Sequence, residues 1–213
     1  MRNILTILII SVLPTISFAQ DSTLIRLQQK MDQQEKLQKD LVYSFNSVSY
    51  VHQLDKQGNI EKTDTVKTWQ KFKGDSLQEY TLLFSSDQKN KEKDGDKKEH
   101  RENSELPKLD DPAYDFKVDR DRGLISFAPR KPKKGDLAGE ISYDAQGLYL
   151  KGLQATMPKL KWPVNEFRMN ITFAQVEGFL FPSEFRMQAG WNALISRGKI
   201  RVESSNSDYK IYK

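Results

Sequence analysis

The stretch Phe167-Arg168-Met169-Asn170-Ile171-Thr172-Phe173-Ala174-Gln175-Val176-Glu177-Gly178-Phe179-Leu180-Phe181-Pro182-Ser183-Glu184-Phe185-Arg186-Met187 decides the fold class. Phe167, Met169, Ile171 and Phe173 alternate with Arg168, Asn170 and Thr172. That is the period of two that a strand with one buried face requires. Only Glu177-Gly178 separates this run from the next, which predicts a tight antiparallel hairpin. A parallel pair would need a crossover of a dozen or more residues. Phe179, Phe181, Phe185 and Met187 share one parity and are expected to face one side of the sheet.

Working outward, the same pattern recurs. Arg197-Gly198 turns into a strand over Lys199–Lys210, and Trp191-Asn192-Ala193-Leu194 reads as a loop or one helical turn. Upstream, Gly139–Asp144 and Leu148–Met157 flank the turn Asp144–Gly147, and Tyr114–Val118 and Leu124–Phe127 flank Asp119–Gly123. Nearer the N-terminus, Phe45, Ser47, Ser49 and Val51 fall on one face of a strand, with Val48, Tyr50, His52 and Leu54 near the other. Asp55–Gly58 and Lys73-Gly74-Asp75 then join it to strands over Ile60–Phe72 and Leu77–Phe84. Roughly ten strands with short connections predict a mainly β fold (α+β), an antiparallel sheet large enough to curl.

One helix precedes them. Asp21 or Ser22 can cap it, and Leu24, Leu27 and Met31 follow helical spacing, as do Leu37, Leu41 and Phe45. The phase slips between the two sets, where Gln, Lys and Asp fill the gap, so a bend or frayed middle is expected. Laid into the concave face of the curled sheet, this helix would bury one side of it.

The chain begins with an export signal in outline: Arg2, an apolar run of about ten residues from Ile4 to Leu13, and Ser17-Phe18-Ala19 before Gln20. The run is short of the roughly 20 residues that span a bilayer. Cleavage after Ala19 is expected to leave 20–213 as a single domain. With no cysteine the chain has neither disulfides nor a lipidation site, so a soluble periplasmic protein without a lipid anchor is expected. The net charge of +5, which includes Arg2, is too mild for a nucleic-acid footprint. Segment 86–105 holds six basic and seven acidic residues and no large apolar one, and reads as a flexible charged insertion.

Chemistry is sparse. The two histidines, His52 and His100, lie far apart in different segments, and no G-x-S-x-G or H-E-x-x-H occurs. Asp110-Asp111 before Pro112 reads as a turn, and Asp94-Gly95-Asp96 lacks the spacing of a calcium loop. No catalytic residue, metal ligand or cofactor is assigned, and an enzyme is not expected. Arg130-Lys131-Pro132-Lys133-Lys134 is a basic loop, either solvated or set against anionic headgroups. Trp162, after Lys159-Leu160-Lys161, is expected to cover one end of the fold, the other reading being membrane contact.

Taken in order, several segments resemble the outer-membrane lipoprotein-sorting family of periplasmic lipoprotein carriers and their relatives. Gly139-Glu140-Ile141-Ser142-Tyr143-Asp144 is similar to that family's strand from Gly to Asp. Phe173-Ala174-Gln175-Val176-Glu177-Gly178-Phe179-Leu180-Phe181-Pro182 resembles its late hairpin. The charged insertion departs from the pattern, as does the absence of further lid helices in the sequence. The resemblance implies an unclosed half-barrel with a hollow, lipid-sized interior.

A hydrophobic ligand, an acyl chain or acylated protein, is then expected against Leu27, Met31, Leu41, Phe181, Phe185 and Met187. The same alternation also suits a filled core, in which case the chain is a regulatory or structural module that binds another envelope protein. The oligomeric state stays open.

Overall fold

The computed structural model describes residues 21–87, 106–193 and 196–212. The expected leader and segment 88–105 lie outside the described residues. One helix, α1 (Ser22–Gln38), precedes ten strands: β1 (Val42–Leu54), β2 (Ile60–Lys73), β3 (Ser76–Ser85), β4 (Tyr114–Asp119), β5 (Leu124–Pro129), β6 (Ala138–Asp144), β7 (Tyr149–Thr156), β8 (Val164–Val176), β9 (Phe179–Asn192) and β10 (Arg197–Tyr212). All ten belong to one open antiparallel sheet in the order β3-β2-β1-β10-β9-β8-β7-β6-β5-β4.

Two meanders meet in this sheet, β1–β3 and β4–β10, and the long-range pairing of β1 with β10 joins them. Val51 stands opposite Val202 and Ser49 opposite Ser204. The Ser49 and Ser204 hydroxyls bond each other at 2.8 Å, so neither is left bare beside its apolar neighbours. Trp191 and Asn192 complete β9, and the loop expected there begins at Ala193. Ser86 belongs with the sheet and not with the charged segment: its backbone N–H donates to Thr65 O, and its Oγ accepts from the Thr65 N–H.

The ladder puts the β4–β5, β6–β7 and β8–β9 turns at one end of the sheet. The β5–β6, β7–β8 and β9–β10 loops lie at the other. Helix α1 spans the turn end, since Asp21 pairs with Arg120 in the β4–β5 turn and Gln34 reaches Gly178 in the β8–β9 turn. Seventeen residues of helix extend about 25 Å. Four strand spacings come to about 19 Å. The helix therefore crosses the strands and does not run along one of them.

The main core forms under its N-terminal half. Leu24 and Leu27 pack with Ile125, Phe127, Ile141, Leu153 and Ala155, all on one face of β5–β7. Leu109, in the segment leading to β4, is fully buried among them. Its backbone N–H donates to Gln28 Oε1 at 2.8 Å, which ties that segment to the helix. The apparent slip in helical phase is filled by glutamines: Gln28 is buried, and Gln34 and Gln38 point the same way along the helix. Leu37 is 62% exposed, contrary to the expected face, because it lies off the stripe set by Leu24, Leu27 and Met31. Leu41 lies beyond the helix, in the link to β1, and its carbonyl accepts from the Gly74 N–H. Gly74 has φ of +54°, and an added Cβ would sit 2.3 Å from Lys39 O, so this turn has room only for glycine.

Asp21 caps α1, its Oδ1 accepting from the Thr23 N–H at 2.8 Å and from Arg120 at 2.9 Å. The hydrogen bond from Arg120, ahead of that from Thr23, holds the Asp21 carboxyl below its ordinary range. Arg120 is largely exposed, so the ion pair itself adds little. Asp21→Ala is expected to lower stability by about 1 kcal/mol at neutral pH through loss of the cap. Because the folded value is depressed, the carboxylate stabilises fully above its unfolded pKa of about 3.9 and loses this effect as pH falls through the folded value. Urea melts of both proteins at pH 7 and pH 3 should show the gap between them narrowing at the lower pH.

Candidate functional site

One extra residue in β9 shapes the interior. Thr172 stands opposite Glu184 and Phe173 opposite Pro182, so Ser183 is left as a bulge. On the far side of that bulge β9 parts from β10: their pairing stops at Ser205 and Glu184, whereas β8 and β9 stay paired down to Val176 and Phe179. The hairpin tip thus has an edge of backbone carbonyls with no strand beside it. Pro182 lacks an N–H and suits such an edge. Side chains take the place of the missing strand. Gln34 Nε2 donates to Gly178 O at 3.2 Å and Gln38 Nε2 donates to Leu180 O at 2.8 Å. Asn206 Nδ2 and the Tyr209 hydroxyl both donate to Pro182 O.

The bulge also corrects the expectation that Phe179, Phe181, Phe185 and Met187 share a face. Phe185 and Met187 stand opposite Ile171 and Met169, but Phe181 and Phe179 stand opposite Ala174 and Val176, on the other side of the hairpin. Leu180 reaches the main core together with Phe173. Phe181, 2% exposed, packs instead on Tyr209 and Tyr43, at ring-centroid separations of 4.7 and 4.8 Å. Phe45 and Phe72 stack behind them. The tip therefore stands between α1 and an aromatic wall built by β1, β2 and β10. Burial among these rings pushes the Tyr209 hydroxyl pKa well up and keeps it a neutral donor.

Beyond the bulge lies a stripe that the helix does not seal. Met169, Met187, Val202 and Val51 form one cross-strand row, with Ile171, Phe185, Ser204 and Ser49 in the next. These rows share the face that carries the core, yet Met187, Phe185, Val202 and Val51 are only half-buried. Of the six side chains expected at a hydrophobic site, Leu27 is fully buried in the core and Met31 packs against that core. Phe181 lies in the aromatic wall, Phe185 and Met187 lie on the open stripe, and Leu41 is half-buried in the link after α1. The structure thus divides the set between two sides of one hairpin. Gln34, Gln38, Leu109 and Tyr209 were missed. Only the polar gap in the helical stripe could have pointed to the glutamines, and Leu109 sits between prolines with no periodicity to mark it.

Two grooves lie elsewhere. One of about 640 Å³ is floored by Leu106, Pro107, Pro112, Tyr114 and Pro129 and rimmed by Lys108, Arg130, Lys131 and Lys133. Another, of about 600 Å³, runs across β6–β10 between the row Thr156, Arg168, Gln188, Arg201 and the row Gln154, Asn170, Arg186, Glu203. By parity it opens on the face away from the core. At its edge, burial alone would raise the Glu166 pKa, but bonds from Lys199 and Gln188 outweigh that and hold it below the ordinary range.

The titratable groups considered for chemistry serve local structure. His52 Nδ1 and Thr63 Oγ1 are 2.8 Å apart on the outer face, and Asp111 Oδ1 accepts from the Ala113 N–H to close a turn. His100 lies outside the described residues. Among the described residues no three His, Asp or Glu side chains gather as a metal site would need. What the interior offers is apolar and aromatic surface with one buried acceptor, Gln34 Oε1, that has no partner among the described residues. Neither protein-family models nor curated proteins match this chain.

Replacing Gln34 and Gln38 together by Ala should loosen the tip, because each removes a hydrogen bond worth about 1 kcal/mol. The expected loss is about 1–2 kcal/mol in a urea melt. An unchanged midpoint would mean that water replaces the glutamines at no cost.

Proposed function

We propose that this chain is an envelope-resident carrier that binds a hydrophobic ligand, an acyl chain or an acylated protein, without chemistry. In this reading the open sheet is the unclosed half-barrel of the outer-membrane lipoprotein-sorting family, with α1 lying in its concave face. The observation that carries the proposal is the half-buried stripe of Met169, Met187, Phe185, Val202 and Val51, continuous with the interior and left uncovered by the helix. Methionines adapt to irregular apolar shapes, which suits a ligand of variable chain. Each buried CH₂ contributes about 0.8 kcal/mol, so a few methylenes outweigh one headgroup hydrogen bond. Gln34 Oε1 provides a buried acceptor that a ligand hydroxyl or amide would satisfy.

Loading requires room. The hairpin tip and α1 occupy the space next to the stripe and are held to each other by two glutamine side chains. Lifting α1 exposes the tip edge and Leu180, and the ligand takes the place of both. Release is the reverse, with the helix competing for the same apolar surface.

A second reading rests on the sealed side of the interior. Leu27 and Leu109 have no exposure, and Ile125, Ile141 and Leu153 have almost none. A filled core of this kind suits a module that binds another envelope protein through its outer surface. Leu27→Ala separates the two. It should cost about 2–4 kcal/mol in either case, because a fully buried side chain is cut back. In a carrier the loosened helix favours the open state, so affinity for a fluorescent fatty-acid probe should rise. Lost stability with no saturable probe binding in either protein would contradict the carrier and favour the module.

A further inference from the structure

At the loop end of the sheet, opposite α1, two basic segments come together. The β5–β6 loop carries Lys131, Lys133 and Lys134, and the β7–β8 loop carries Lys159, Lys161 and Trp162. A backbone hydrogen bond from Gly135 N to Lys159 O, at 3.4 Å, links them. All five lysines are exposed, and none takes part in an ion pair among the described residues. Two of the three nearby acids are paired with other groups. Asp115 pairs with Arg130 and Glu166 is held by Lys199 and Gln188, while Asp136, which accepts the Lys133 backbone N–H at 2.7 Å, lies within the β5–β6 loop and offsets one of the cations. Trp162 was expected to cover the end of the fold, but it stands 67% exposed, directly after Lys161. A large indole left in water is uncommon in a soluble domain, and Trp beside lysines is the composition of a membrane interface.

We propose that these two loops are a docking surface for an anionic lipid bilayer, with Trp162 entering the headgroup layer and the five lysines set against lipid phosphates. The proposal does not rest on the carrier reading. Docked this way, the helix end of the sheet points away from the membrane and stays open to ligand or partner. Attraction to an anionic leaflet is strong only within a Debye length, about 10 Å at 0.1 M salt, so loops that reach the surface together add while scattered lysines do not.

The test is sedimentation of the purified protein with vesicles of phosphatidylcholine alone and with about a third phosphatidylglycerol, as salt rises through the range where the Debye length shortens. Binding to the anionic vesicles only is expected, lost at high salt, with the Trp162 emission shifting to the blue. Each lysine replaced by Gln should weaken partitioning by roughly fivefold. Trp162→Phe should abolish the blue shift, because Trp69 and Trp191 are half-buried in the sheet. Equal sedimentation with both vesicle types would overturn the proposal, as would anionic binding that Lys133→Gln/Lys159→Gln leaves unchanged. Anionic binding with no blue shift would overturn it too, since another face would then be docking. Thermal melts of each variant confirm folding, and fatty-acid probe affinity, measured apart from vesicles, keeps a failure here distinct from failure of the carrier reading.

Discussion

The separation of the β8–β9 tip from β10 is the constraint on which the interior depends. A sheet whose strands stayed paired to their ends would have no loose carbonyl edge, and the C-terminal half of α1 would lose the carbonyls that Gln34 and Gln38 bond. Ser183 breaks the pairing and turns Phe181 and Phe179 to the far side of the hairpin. Gly178 O, Leu180 O and Pro182 O then need donors, and Gln34, Gln38, Asn206 and Tyr209 supply them. The helix is thereby fixed by hydrogen bonds at its C-terminal half and by the Leu24, Leu27 and Leu109 core at its N-terminal half.

These two anchors differ in kind. Burial of Leu27 is non-directional and is lost only when the helix lifts, at a cost of several methylenes. The glutamine bonds are directional, partly exposed and individually weak, since water can replace them. A helix held by one strong and one weak anchor opens first at the weak end. That end lies beside the hairpin tip, so in the proposed carrier opening starts there and spreads toward Leu27, and truncating Leu27 makes the full lift easier.

Much of this fold was legible in the sequence. Alternation placed all ten strands, and the period of the first helix placed Leu24 and Leu27 in the core, because burial imposes those periods directly. The bulge was not legible. Phe181 and Phe185 keep the same parity in the sequence whether or not Ser183 is inserted, and only the pairing partner on β8 reveals the flip. The glutamines were hidden for a related reason: a polar side chain in a buried stripe looks like an error of phase until the carbonyl it caps is known. Leu37 was misplaced by extending an apolar spacing past the point where glutamines had taken over the buried face. The exposure of Trp162 was beyond the sequence too, because Trp beside Pro fits a covered end as well as an open one.

The central claim is that α1 and the hairpin tip form one movable unit over an apolar stripe. Hydrogen exchange of the purified protein with and without a saturating fatty acid tests it most directly. The account predicts that on binding, backbone amides in the C-terminal half of α1 and at Phe179–Phe181 lose protection together, while those of β5–β7 keep theirs. Unchanged protection of α1 and the tip with fatty acid bound, or loss confined to the core strands, would contradict it.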